Sequence, residues 1–294
     1  MKILVLGKSS IFKRRILFAI RKIDAITKIE IASISQKADW GNYAQALEKS
    51  QADIVYISLI NSLHYKWAKK ALDAGMHVIV DKPATSNLKQ ARQLLSLAKR
   101  KKLLLAEATV YAYHPQIKFL KNLGNPNKIN INFSFPKFEN NNYRYSKKAG
   151  GGAIEDLGPY AMSVGRLFFA SQPKKVLLEV TDNKNGVPVA FSFFASYPKN
   201  KIVIGNCGFN SGYINNAIFI AEDKIVSVDR VFTTPADLEN KILVNNKIKK
   251  IKASDSFEVF LKVATDSIAK RNWSAFYKDF INDAMALEML RKAV

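Results

Sequence analysis

The sequence contains a single cysteine, Cys207, so no internal disulfide can form and no cysteine-rich zinc cluster can be assembled. Histidines are equally few, His64, His77 and His114, and their spacing fits no metal-ligand pattern; no metal is expected. Acidic residues are outnumbered, 24 Asp and Glu against 46 Lys and Arg, which leaves a net charge of +22. That excess draws polyanions at low salt, yet no helix-turn-helix, zinc-finger or RNP pattern accompanies it. No specific nucleic-acid partner is expected. The densest basic clusters, Lys99 to Lys102 and Lys247 to Lys252, look like a helix C-terminus and the wet face of a strand. No apolar run approaches the roughly 18 residues of a membrane span, and the first one stops at Gly7. These absences point to a cytoplasmic chain with no membrane partner.

What is present can fill a core: 48% of residues are hydrophobic and 11% aromatic over 294 positions. Short apolar runs at Ile3 to Leu6, Ile29 to Ile34, Ile54 to Ser58, His77 to Val80 and Leu103 to Ala106 alternate with amphipathic stretches, notably Leu63 to Ala74 and Leu88 to Lys99. That rhythm predicts a doubly wound parallel sheet of the Rossmann type, α/β in class, over residues 1–115, with Ser86 capping the helix from Leu88. After His114-Pro115 the runs take period two, for example Val187 to Tyr197 and Ile202 to Phe209, with turn signals at 183–186 and 210–212. Residues 116–294 are therefore expected to form an α+β domain on a mostly antiparallel open sheet, whose outer face calls for cover by self-association as a homodimer or homotetramer.

Gly7 ends the first strand and precedes a helix, where free N–H groups accept a dinucleotide pyrophosphate. The loop reads Gly7-Lys8-Ser9-Ser10-Ile11-Phe12, so only the first glycine of the usual G-x-G-x-x-G remains. Ser9 is small enough for close backbone approach, whereas Phe12 demands a wider helix-to-strand gap. The second strand ends Ala32-Ser33-Ile34-Ser35-Gln36-Lys37 without an acid to receive a ribose 2′-hydroxyl. Ser33, Ser35, Lys37 and Arg14 suit a 2′-phosphate instead, which favours NADP over NAD.

Further motifs follow in order: Ile60-Asn61-Ser62-Leu63-His64, Ala74-Gly75-Met76-His77-Val78, Asp81-Lys82-Pro83, Glu107 to Pro115, and Arg144-Tyr145 before Gly150-Gly151-Gly152-Ala153-Ile154-Glu155-Asp156-Leu157-Gly158-Pro159-Tyr160. Together they resemble the glucose-fructose oxidoreductase and inositol dehydrogenase (Gfo/Idh/MocA) family from residue 2 to nearly the C-terminus. Ser9-Ser10-Ile11 with Arg14-Arg15, and the stretches 208–213 and 230–235, look most like its nucleotide-sugar 3-ketoreductase branch.

The resemblance implies an NAD(P)-dependent oxidoreductase acting on a carbonyl or secondary alcohol of a sugar or nucleotide-sugar. It implies Tyr160 as proton donor, Lys82 as its partner and Asp156 as an orienting group, with 156 and 160 at i and i+4 on one helix face. A nearby Lys82 ammonium would bring a phenol toward the working pH. The implied cofactor contacts are Gly7, Ser9, Ser10, Ile11, Arg14, Ser33, Lys37, Leu59, Asn61, His64, Asp81 and Lys82; the implied substrate contacts are Tyr111, His114, Arg144 and Tyr213. Departures from the family pattern are Asp81 for the usual glutamate, Ile60 for proline, Ala112 for arginine, and the depleted glycine loop. The alternatives are a free-sugar, inositol or dihydrodiol dehydrogenase, or a non-catalytic dinucleotide-binding regulator.

Overall fold

The computed structural model describes residues 1–294 and divides them into two units, 1–109 with 257–284, and 110–256 with 285–294. In the first, the apolar runs become five parallel strands, β1 Lys2–Leu6, β2 Lys28–Ala32, β3 Ile54–Ile57, β4 His77–Val80 and β5 Leu105–Glu107, in the order β2-β1-β3-β4-β5. Near-continuous Val, Ile and Leu are what a parallel sheet buried on both faces requires, and every residue of β3 is buried. A π-helical turn, Phe12–Ile16, leads into α1 Leu17–Arg21. This wider turn is where Phe12, 1% exposed, is accommodated.

Helices α2 Tyr43–Lys49, α3 Asn61–Asp73 and α4 Leu88–Lys101 cover the sheet. The α4 core face is Ala91, Leu94, Leu97 and Ala98, a helical spacing. Its cap is Asn87, whose Oδ1 accepts the Gln90 N–H at 3.0 Å, and not Ser86, whose own N–H is spent on Gln90 Oε1.

The second unit opens with α5 Pro115–Asn122 and is built on eight strands: β6 Lys128–Ser134, β7 Lys175–Lys184, β8 Val187–Tyr197, β9 Lys201–Gly208, β10 Ile214–Ile220, β11 Ile225–Asp229, β12 Asn240–Val244 and β13 Lys247–Ile251. Their order is β13-β12-β11-β10-β6-β9-β8-β7, antiparallel throughout except for the β6–β9 pair. Helix α6 Ala153–Phe169 shares a core cluster with the buried faces of these strands. The alternation along β8 and β9 leaves one face of the sheet uncovered within the chain.

The division at residue 115 needs correction. The break falls after Thr109, and residues 257–284, from α7 Ser256–Ala269 and the start of α8 Ser274–Arg291, pack with the parallel sheet. Phe280 is buried in the cluster that holds Leu4, Val55 and Leu105, with Tyr277 and Ile281 against it. No local pattern announces such a return, because its partners lie far away in sequence. No helix is long and apolar enough to cross a membrane.

Candidate active site

In the first unit, reversal of strand order between β1 and β3 opens a crevice at their carboxyl ends. Gly7 stands there at φ +101°, and a Cβ on it would lie 2.3 Å from the Ser58 carbonyl oxygen and 2.8 Å from Leu59 Cδ2. Only glycine fits this close approach. Ser9 Oγ accepts the Phe12 N–H at 3.1 Å and sits 2.7 Å from Ser58 Oγ, so a serine pair shapes the loop where a second glycine is missing.

Lys8 Nζ donates to the Lys37 carbonyl at 2.8 Å, which ties this loop to the segment after β2. Ser33 is buried, while Ser10, Arg14 and Lys37 are exposed and Ile11 is half-buried. The nearest acid, Asp39, is turned back on the sheet and accepts the Ile31 N–H at 2.8 Å. Glu30, further back on β2, is buried, yet the Lys28 ammonium and the Trp40 Nε1–H on its oxygens hold its carboxyl at about 2.

Asp81 follows β4 at the same end of the sheet. Its carboxylate accepts Tyr56 Oη–H at 2.7 Å and Ser58 Oγ–H at 2.8 Å, and burial raises its pKa against these bonds. Beside it, His64 of α3 places Nδ1 2.8 Å from the Pro83 carbonyl and Nε2 2.9 Å from the Leu59 carbonyl. Burial lowers the His64 pKa, opposed by both carbonyls and Asp81. His64 thus braces the two loops that carry Leu59 and Lys82, rather than facing outward. Asn61, at the start of α3, is buried and Lys82 half-buried. The Lys82-Pro83 bond is cis, and Glu107 Oε2 accepts the Ala84 N–H at 2.7 Å just beyond it.

In the second unit, glycine again sets the geometry. A Cβ on Gly151 would lie 2.5 Å from the Arg144 carbonyl oxygen and 2.6 Å from that of Tyr143. The Gly152 N–H donates to the Arg144 carbonyl at 2.8 Å, and Asp156 N–H to the Gly152 carbonyl at 3.0 Å. The run therefore straps the Arg144 segment to the first turn of α6. There Arg144 Nε donates to Asp156 Oδ2 at 2.7 Å. Burial works against the Arg144 charge, but Asp156, with Tyr143 and Tyr160, more than restores it and its pKa is raised.

One turn on, Tyr160 is half-buried among Phe133, Phe232 and Tyr111, with ring centroids at 5.1, 5.5 and 5.7 Å. Its hydroxyl lies within electrostatic reach of Arg144. Asp156, Tyr160 and Arg144 thus come together as a carboxylate, a phenol and a guanidinium.

Three of the expected substrate contacts stand differently from the sequence-based reading. Arg144 directs Nε at a carboxylate of its own chain. His114 is 1% exposed and caps α5, its Nδ1 accepting the Gln116 N–H at 3.2 Å. Tyr111 is 1% exposed with its hydroxyl 2.7 Å from Ser163 Oγ, so it backs Tyr160 from within the core. Tyr213 is 39% exposed, with the Arg230 guanidinium 4.3 Å from its ring centroid. The sequence pointed to Phe232 and Arg230 only as part of the 230–235 stretch and did not mark Ser58 or Phe133 as site residues; Ser58 carries a signal as the last residue before the crevice, and Phe133 carries none.

Residues 17–109 match the Gfo/Idh/MocA oxidoreductase family domain with an NAD-binding Rossmann fold, and residues 121–226 match the Gfo/Idh/MocA C-terminal domain. Among curated relatives, a dTDP-3,4-didehydro-2,6-dideoxy-alpha-D-glucose 3-reductase of Actinomadura kijaniata is 28% identical over 78% of this chain and 69% of its own length. An NADP(+) D-xylose 1-dehydrogenase of Haloferax volcanii is 29% identical over 66% of this chain and 65% of its own length. The chain thus spans about two thirds of these relatives. A 3-ketoreductase from Actinomadura kijaniata, solved with NADP and TDP-benzene, has the same fold at a TM-score of 0.88 and 24% identity, over 100% of this chain and 97% of that one. With both halves matched in order and one fold shared along the whole chain, the protein belongs to the Gfo/Idh/MocA family of oxidoreductases.

Proposed function

We propose that this protein is an NADP-dependent reductase of a keto group on a nucleotide-linked sugar. The observation that carries the reading is Tyr160, a half-exposed phenol held by three aromatic rings one helical turn from Asp156 and within reach of the Arg144 charge. Bound dinucleotide supplies the hydride. Tyr160 Oη gives its proton to the oxygen of the carbonyl as negative charge develops there, and the guanidinium of Arg144 stabilises the phenolate left behind. Asp156 positions Arg144. Lys82 holds the ribose hydroxyls or the substrate hydroxyl.

The residues present fit the cofactor. Gly7 leaves a cradle that a Cβ would fill, and the loop from Lys8 to Ile11 carries no acid to repel a pyrophosphate. Leu59, Asn61, His64 and Asp81 support the nicotinamide half. Ser33, Lys37 and Arg14 would meet a 2′-phosphate, with Asp39 withdrawn to Ile31. The 3-reductase relatives favour a dTDP-linked 3-keto sugar, while the xylose dehydrogenase supports a free sugar as the second reading.

The uncovered sheet face suits self-association as a dimer or tetramer. Across it runs a ladder in which Ser192 Oγ donates to Asn206 Oδ1, Asn206 Nδ2 to Asn132 Oδ1, and Asn132 Nδ2 to Asn216 Oδ1, at 2.7, 3.1 and 3.1 Å. Exposed Leu177 and Ile204 flank it. Uncharged amides let two copies of a strongly basic chain meet.

The test is NADPH consumption with dTDP-linked 3-keto sugars and, in the reverse direction, NADP reduction with free aldoses, inositol and dihydrodiols. Turnover only with the nucleotide-linked panel supports the first reading, and turnover only with free sugars the second. Tight NADPH binding with no turnover on any substrate would leave a non-catalytic dinucleotide-binding protein.

A further inference from the structure

The basic run closing α4 plays no part in the dinucleotide reading, yet two of its members line a cleft. Within the first unit, Lys99, Lys102, Arg271, His77, Trp273 and Tyr277 surround about 730 Å³. His77 opens β4 and Lys102 leads toward β5, so the cleft lies at the amino ends of the parallel strands, the opposite end from Gly7 and Ser58.

Its chemistry is one-sided. No carboxylate lines it, and none of Lys99, Lys102 and Arg271 forms an ion pair. Three cations border one cleft with no carboxylate in its wall, and an anion bound there would offset their mutual repulsion. Helix α8 begins at Ser274 in the cleft wall with no acid in its first turn, so the positive end of its dipole is uncompensated. Beside Ile268 and Asn272, the remaining wall carries three rings in mutual contact. Trp273 donates Nε1–H to Tyr277 Oη at 2.7 Å and meets the His77 ring edge-on at a centroid distance of 5.4 Å. His77 Nδ1 accepts the Leu104 N–H at 2.8 Å, which leaves the ring proton on Nε2 as a donor.

A bare phosphate would occupy a small part of this volume, whereas clefts of roughly 300–1,000 Å³ take ring-bearing ligands. We propose that the cleft binds a nucleoside phosphate as an ancillary ligand, its phosphates on Lys99, Lys102 and Arg271 and its base against Trp273. The site is distinct from the dinucleotide crevice and does not depend on the activity proposed above.

The experiment titrates ADP into the full chain, alone and with saturating NADPH, by calorimetry and tryptophan emission, beside the K99E/R271E double variant. Both replaced residues are exposed, so the fold is retained, and a thermal unfolding scan of the variant verifies it. The expected result is saturable ADP binding that persists with NADPH present and weakens about tenfold or more in the variant, whose NADPH binding is unchanged. If the chain fails to bind NADPH, ADP binding lost in the variant still supports the cleft. The proposal is overturned by any of four results: ADP displaced one for one by NADPH, equal ADP affinity in the variant, adenosine binding as tightly as ADP, or binding of RNA with no saturable binding of ADP.

Discussion

Arg144 Nε lies 2.7 Å from Asp156 Oδ2, and the backbone between them is closed by a glycine run that tolerates no side chain at Gly151. Twelve residues of chain are folded so that a guanidinium meets a carboxylate one helical turn before Tyr160. The pair is partly buried, with side chains 25% and 13% exposed, so its geometry is worth more than that of a surface ion pair.

Asp156→Asn keeps the shape and removes the charge that holds Arg144. Turnover is expected to fall about tenfold to a hundredfold, with a loss of about 1.5–3 kcal/mol of stability. Steady-state kinetics beside thermal unfolding measure both; wild-type values in each would dismiss the pair as a device of the site.

Tyr160→Phe keeps the ring among Phe133, Phe232 and Tyr111 and deletes only the hydroxyl. Turnover should drop about 10²–10⁴-fold while NADPH affinity and the unfolding temperature stay near wild type. A fully active variant would assign the proton transfer elsewhere.

Arg14→Ala with Lys37→Ala removes two exposed cations, one in the helical turn after the Gly7 loop and one in the segment after β2. The preference for NADPH over NADH should shrink about tenfold, with NADH binding little changed. Equal losses for both dinucleotides would show that these residues do not read the 2′-phosphate.

Acidification should destabilise the fold through His77. Burial holds its pKa below the ordinary 6.5, opposed by Asp53, so the unfolded chain takes up the proton first. Stability from this group is complete above about pH 6.5 and declines as the pH falls below it. His77→Asn, whose Oδ1 can still accept the Leu104 N–H, should flatten part of that slope in unfolding temperatures measured from pH 7.5 to 5.5, values spanning the roughly 6.5 midpoint.

Ile204→Lys places a charge on the uncovered sheet face, where Ile204 is 37% exposed on β9. Light scattering should find a dimer or larger assembly for wild type and a monomer for the variant. A wild-type monomer would remove that face as an interface.

Much of this was readable from residue order. Strand runs in β1, β3 and β4 show as near-continuous Val, Ile and Leu, because a sheet covered on both faces leaves few polar alternate positions. Gly7 was legible as a tight strand-to-helix turn, and Asp156 and Tyr160 as neighbours on a helix, since both signals are local. The role of His114 was not: the sequence shows a histidine before a proline, and only the fold shows it buried as the cap of α5. Nor did any local pattern foretell that Phe280 would return to the parallel sheet.

The sequence by itself determined the element types, the turn chemistry and the excess of positive charge, because propensity, periodicity and composition act over a few neighbouring residues. Tertiary structure alone decided that Arg144 would face Asp156, that Lys99 and Arg271 would border one cleft, and that Tyr111 would lie behind Tyr160. Those pairings are set by packing between segments distant along the chain, where burial and charge select partners that no spacing encodes.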